Sequence, residues 1–81
     1  MVYLENIVRN GDLISCDYYR EVDYKNKETI NPFKMVYNFV TDTIEHLSED
    51  HVSGYAYHAK QKLSRLARME EIPSSAKEMW Y

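Results

Sequence analysis

Apolar positions fall at three- and four-residue steps in two runs between residues 31 and 71. Phe33, Val36, Tyr37, Val40, Ile44 and Leu47 make the first run. Val52, Tyr55, Ala56, Ala59, Leu63, Leu66 and Ala67 make the second. At about 100° per residue each run lines one helix face. Asn31-Pro32 reads as the start of the first helix, since Asn caps free N–H groups and Pro at the first position loses no bond. Ser48, followed by Glu49 and Asp50, reads as the start of the second. Only a short turn separates the runs, so the pattern predicts an antiparallel helical hairpin, about 32–47 and 49–71, packed stripe to stripe.

The flanks are shorter and less periodic. Tyr3, Leu4, Ile7 and Val8 suggest an opening helix closed by Asn10-Gly11. Residues 13–24 are open between two readings. Ile14, Cys16, Tyr18, Val22 and Tyr24 share one parity, as in a strand, while Glu21 to Lys25 and Asp23 to Lys27 are helical four-residue charge pairs. A lone strand has no evident mate, which tips the balance to helix. Ile72-Pro73 ends the long helix, and Ser75 with Glu78 has capping-box spacing for a last turn. The large side chains of Met79-Trp80-Tyr81 either dock back over the hairpin, the favoured reading, or wait for another chain. The expectation is therefore one all-α domain spanning residues 1–81, with three to four helices.

Length sets one core for the 81 residues. The single cysteine, Cys16, excludes an internal disulfide and suits a reducing compartment. The opening residues carry no basic leader, and no stretch approaches the ~18 apolar residues of a membrane span. A soluble, cytoplasmic protein with no membrane partner is expected.

Net charge is −3, but it is unevenly spread. Lys60, Lys62, Arg65 and Arg68 stand in a stretch without an acid, inside an otherwise acidic chain. On the predicted second helix, Tyr57, Lys60, Gln61, Ser64, Arg65 and Arg68 lie opposite the apolar stripe. Such a face is commonly just solvated. Its unmixed sign and its tyrosine favour use, because Tyr and Arg are enriched at binding hot spots. Phe39 lies off the main stripe of the first helix; either the N-terminal segment covers it, which is favoured, or it contacts another chain and is a second candidate contact. The chain holds eight tyrosines, a residue that supplies contact area with few rotors to freeze.

Catalytic and metal chemistry find little support. His46, His51 and His58 lack the four-residue helical spacing of zinc ligands, and two glycines cannot build a phosphate loop. No catalytic, cofactor or metal residue is assigned, and the chain is read as a non-enzyme. The expected function is that of a small regulator, adaptor or inhibitor that binds another protein with an acidic surface through Tyr57, Lys60, Gln61, Ser64, Arg65, Arg68 and Phe39. Nucleic-acid association through the same cations is the alternative, and a homodimer is compatible.

Asp42-Thr43-Ile44-Glu45, the Ser48-Glu49-Asp50 helix start, Ala59, Leu63 and Leu66, and Ile72-Pro73-Ser74-Ser75 resemble the Hha-type modulators of bacterial nucleoid proteins. The resemblance covers at most half the chain and implies a small, all-helical cytosolic protein that binds a nucleoid-structuring partner. Where that family has a polar signature in its long helix, this chain reads Ala59-Lys60-Gln61-Lys62-Leu63, and no functional residue is carried over.

Overall fold

The computed structural model describes residues 1–79. It is a small α+β fold, not an all-α one. In chain order the elements are β1 (Val2–Asn10), β2 (Leu13–Arg20), the single turn α1 (Glu21–Tyr24), β3 (Phe33–Asn38), β4 (Thr43–Leu47), α2 (Gly54–Leu66) and β5 (Ser75–Glu78). The five strands form one antiparallel sheet in the order β4-β3-β2-β1-β5. Helix α2 lies across one face and returns the chain to the far edge, beside β1.

The predicted helix over 32–47 is a β-hairpin. Phe33, Met35 and Tyr37 alternate with Lys34, Val36 and Asn38, and the first set faces α2. Its aromatic and β-branched residues suit a pleated, half-buried surface better than a helix. The chain reverses where Asn38 Oδ1 accepts from the amides of Val40 and Thr41, both at 3.0 Å, and where Asp42 takes a left-handed φ of 56°. Val40, counted in the helical stripe, is exposed in this turn. Pro32 leads into a strand.

Residues 3–8 and 13–20 are likewise strands rather than helices. Both find mates: β1 pairs with β2, and β2 with β3. Ile14, Cys16 and Tyr18 are buried on the α2 face, so the strand parity of that segment is the one the fold uses. Asn10-Gly11 opens the β1–β2 turn, with Gly11 at φ 63°, instead of capping a helix. Ser75 and Glu78 lie in an edge strand, not a final helical turn.

Two β-bulges account for the helical spacing in the strands. Between Glu5 and Val8 the register slips, with Asn6 left-handed at φ 53°, so Leu4 and Ile7 both reach the core. Opposite Val36 and Tyr37 the register slips again, and Ile44 and Leu47 both pack against it. Each bulge turns a two-residue period into a three-residue step.

The second predicted helix survives in shorter form. Its cap is Ser53, whose Oγ accepts from the Ala56 amide at 3.1 Å. Ser48 instead accepts from the Lys34 amide at 2.8 Å and so closes β4 onto β3. Ala56, Ala59, Leu63, Leu66 and Ala67 are buried against Val2, Leu4, Ile14, Cys16, Tyr18, Met35 and Tyr37. The alanines let the helix approach the sheet closely. The helix ends before Ile72-Pro73, and Arg9 on β1 donates to the carbonyl of Ala67 at 2.6 Å, covering that end. The helical hairpin, and the all-helical architecture implied by the Hha-type resemblance, are both replaced by this sheet.

The opposite sheet face is bare of helix except near α1. There Tyr24 stacks on Tyr3 with ring centroids 3.8 Å apart, and its hydroxyl donates to Glu5. Lys27 pairs with Glu5 and Lys34 with Asp17, at 2.7 and 2.9 Å. Residues 80 and 81 lie outside the described set, and with them the expected docking of Met79-Trp80-Tyr81; Met79 itself is exposed. No helix among the described residues is long and apolar enough to cross a membrane.

Candidate functional site

The outer edge of α2 and the β3–β4 turn enclose a cleft of about 400 Å³. It is lined by Tyr37, Phe39, Val40, Asp42, Lys60, Gln61, Ser64 and Arg68. Helical spacing puts Lys60, Gln61 and Ser64 along one side, Arg68 joins them from the turn just past the end of α2, and the β3–β4 turn supplies the other side. Phe39 and four residues of the basic helix face, assigned to two separate surfaces by helical counting, thus meet in one place. The hairpin brings them together: a helix through residue 39 would have kept Phe39 on a different face.

Tyr37 forms the floor, nearly buried, with its hydroxyl donating to Asp42 Oδ1. Burial, then this bond to a carboxylate, pushes the phenol above its ordinary range, while the Ser64 hydroxyl and the Arg68 charge pull the other way. The Lys60 ammonium stands 3.5 Å from Asp42, with the Tyr37 and Tyr57 rings 5.9 and 5.7 Å away. The Tyr37 hydrogen bond first, then the Lys60 charge, hold the Asp42 carboxyl below its usual range.

The remaining predicted residues are placed differently. Tyr57 is exposed at the rim and accepts a hydrogen bond from Gln61 Nε2. Arg65 turns away from the cleft to Glu78 on β5, and Lys62 lies 3.9 Å from the same carboxylate. The basic stretch is therefore largely paired within the fold. Arg68 alone of its four cations has no carboxylate partner among the described residues.

Asp42 is not among the site residues expected from sequence, although the spacing of Asn38 and Asp42 is a turn signal between two strand-like runs. A second, larger groove of about 650 Å³ lies at the start of α2, between Arg20, Phe33 and Tyr55 and the segment Ser48–Gly54. Helical counting hid it by placing that segment inside a helix. His51 sits in this groove, His46 on β4 and His58 on α2. Among the described residues no group of three His, Cys, Asp or Glu is placed to hold a metal. Cys16 is a buried free thiol, pushed up to about 12 by burial and then by Asp17.

No family model, curated protein or solved structure matches the chain.

Proposed function

We propose that the protein is a small non-catalytic binding module, a regulator, adaptor or inhibitor, that takes an acidic segment of a partner protein into the cleft beside α2. The observation that supports it is the convergence of Phe39, Lys60, Gln61, Ser64 and Arg68 on that cleft, with Arg68 unmatched by any acid among the described residues. Tyr57 and Val40, 47% and 63% exposed, add contact area at its edges. A carboxylate fits this arrangement better than a phosphate backbone. Lys62 and Arg65 direct their charge to Glu78, which breaks the strip of cations that tracking a polyanion requires, and the net charge of −3 repels one. A cytoplasmic setting fits the free thiol of Cys16.

The test is quantitative affinity capture from native extract, comparing wild type with the double variant Lys60→Glu, Arg68→Glu. Loss of one or more specific protein partners by about tenfold is expected, as for a small cluster of hot-spot contacts. Recovery of every captured protein at wild-type level removes the cleft as the site. Capture of nucleic acid instead, falling log-linearly with salt, favours the phosphate alternative.

A further inference from the structure

We infer that Asp42 is a built-in occupant of the cleft: its carboxylate sits where the partner's carboxylate binds, and must be displaced for binding, a role that rests on the cleft being the partner site. Among the described lining residues, Asp42 is the one that can only accept hydrogen bonds when ionised. Of the other lining residues, the Tyr37 hydroxyl and Lys60 engage it, and Gln61, Ser64 and Arg68 carry donors elsewhere in the cleft. The Asp42 side chain reaches back from the turn to accept a hydrogen bond from the Tyr37 hydroxyl and stands 3.5 Å from Lys60, while Arg68 keeps an unmatched charge. An acid already resident among donors marks the place and chemistry of an acidic guest.

The ion pair of Asp42 is also weak. Its side chain is 71% exposed, so its ion pair is screened by solvent and easily exchanged. The backbone there is left-handed, at φ 56°, a conformation that Asp and Asn tolerate and Gly favours. The turn can therefore be kept while the charge is removed.

The experiment titrates a capped hexaglutamate peptide into isotopically labelled protein and follows the amide signals of Gln61, Ser64 and Arg68. Asp42→Asn and Asp42→Gly should each lower the midpoint by about fivefold relative to wild type, the scale of one exposed like-charge competitor. Arg68→Glu should abolish the shifts in either background. A midpoint unchanged in both Asp42 variants, with Arg68→Glu still abolishing binding, overturns the role of Asp42 and leaves the cleft as a site. No response to the peptide in any variant removes the cleft reading as well. Shifts produced by oligothymidylate but not by hexaglutamate overturn both in favour of a phosphate ligand.

Discussion

The phenol of Tyr18, on the central strand β2, donates to the carboxylate of Glu49 at 3.0 Å, across 31 residues of chain. Tyr18 is fully buried, and burial, followed by Glu49, pushes its ionisation well above the ordinary phenol range. The bond ties the segment after β4 to the middle of the sheet and thereby shapes the larger groove. Tyr18→Phe should cost about 1 kcal/mol, read as a lower urea midpoint. Amide exchange in residues 49–53 should quicken with it. Glu49→Gln, which still accepts, should cost less.

Gly11 and Gly54 should answer oppositely to alanine. Neither would meet another atom within 4 Å of an added Cβ, so packing is not at issue. Gly11 sits at φ 63°, and Gly11→Ala should destabilise by about 1 kcal/mol through backbone strain. Gly54 opens α2 in an ordinary conformation, and Gly54→Ala should stabilise by about 0.5 kcal/mol by restricting the unfolded chain. Paired denaturation curves check both signs.

Acid should weaken the bare sheet face first. The Glu5 carboxyl is held below its ordinary range by the Lys27 hydrogen bond, with Tyr24 adding to it. Burial raises that of Asp17, but hydrogen bonds from Lys34 and Asn6 outweigh it and leave it lowered. A folded-state pKa below the unfolded one stabilises the fold above the unfolded value, near pH ~4, and that contribution disappears as pH falls through the folded value. Unfolding midpoints should therefore drop from about pH 5 downward. Lys27→Met and Lys34→Met should flatten the slope; an unchanged slope would count against these pairs as its source.

Cys16 should resist alkylation in the folded protein. Only the thiolate reacts, and a thiol at about 12 has little of it at neutral pH. Labelling should run about a thousandfold slower than for a free cysteine. It should rise to the unstructured rate in denaturant, so its kinetics report opening of the core.

Helix α2 was legible in sequence because Ala56, Ala59, Leu63 and Leu66 carry an uninterrupted 3.6-residue period and pack on a single surface. The sheet was not, for a local reason. Leu4 to Ile7 and Ile44 to Leu47 step by three because each spans a bulge, and Val36 beside Tyr37 looks like a helical pair although the two lie on opposite faces. Phe33, Met35 and Tyr37 did alternate cleanly, but over too few residues to outweigh the longer helical count. Capping chemistry misled in the same way: Ser48 and Ser53 are the same residue type, and only the strand partner of Ser48 separates their roles. The helical half of the site was readable, since Lys60, Gln61 and Ser64 do share one side of α2 and Arg68 follows in the turn just past its end. Its other half needed the turn, because Phe39 and Asp42 reach the cleft only through the reversal at Asn38.

Strand β1 is bounded on one side by β2, which follows it at once, and on the other by β5, which pairs with Val2 to Glu5. As the chain leaves the ribosome, the β1–β2–β3–β4 meander can form early, yet half of the hydrogen-bonding rim of β1 stays open until residue 78 has emerged. Val2 and Leu4, both fully buried in the finished fold, reach their final surroundings only then. The pairing of greatest sequence separation in the sheet is thus the return of the chain across α2 to β1, and until it forms the open rim is a template for a second chain.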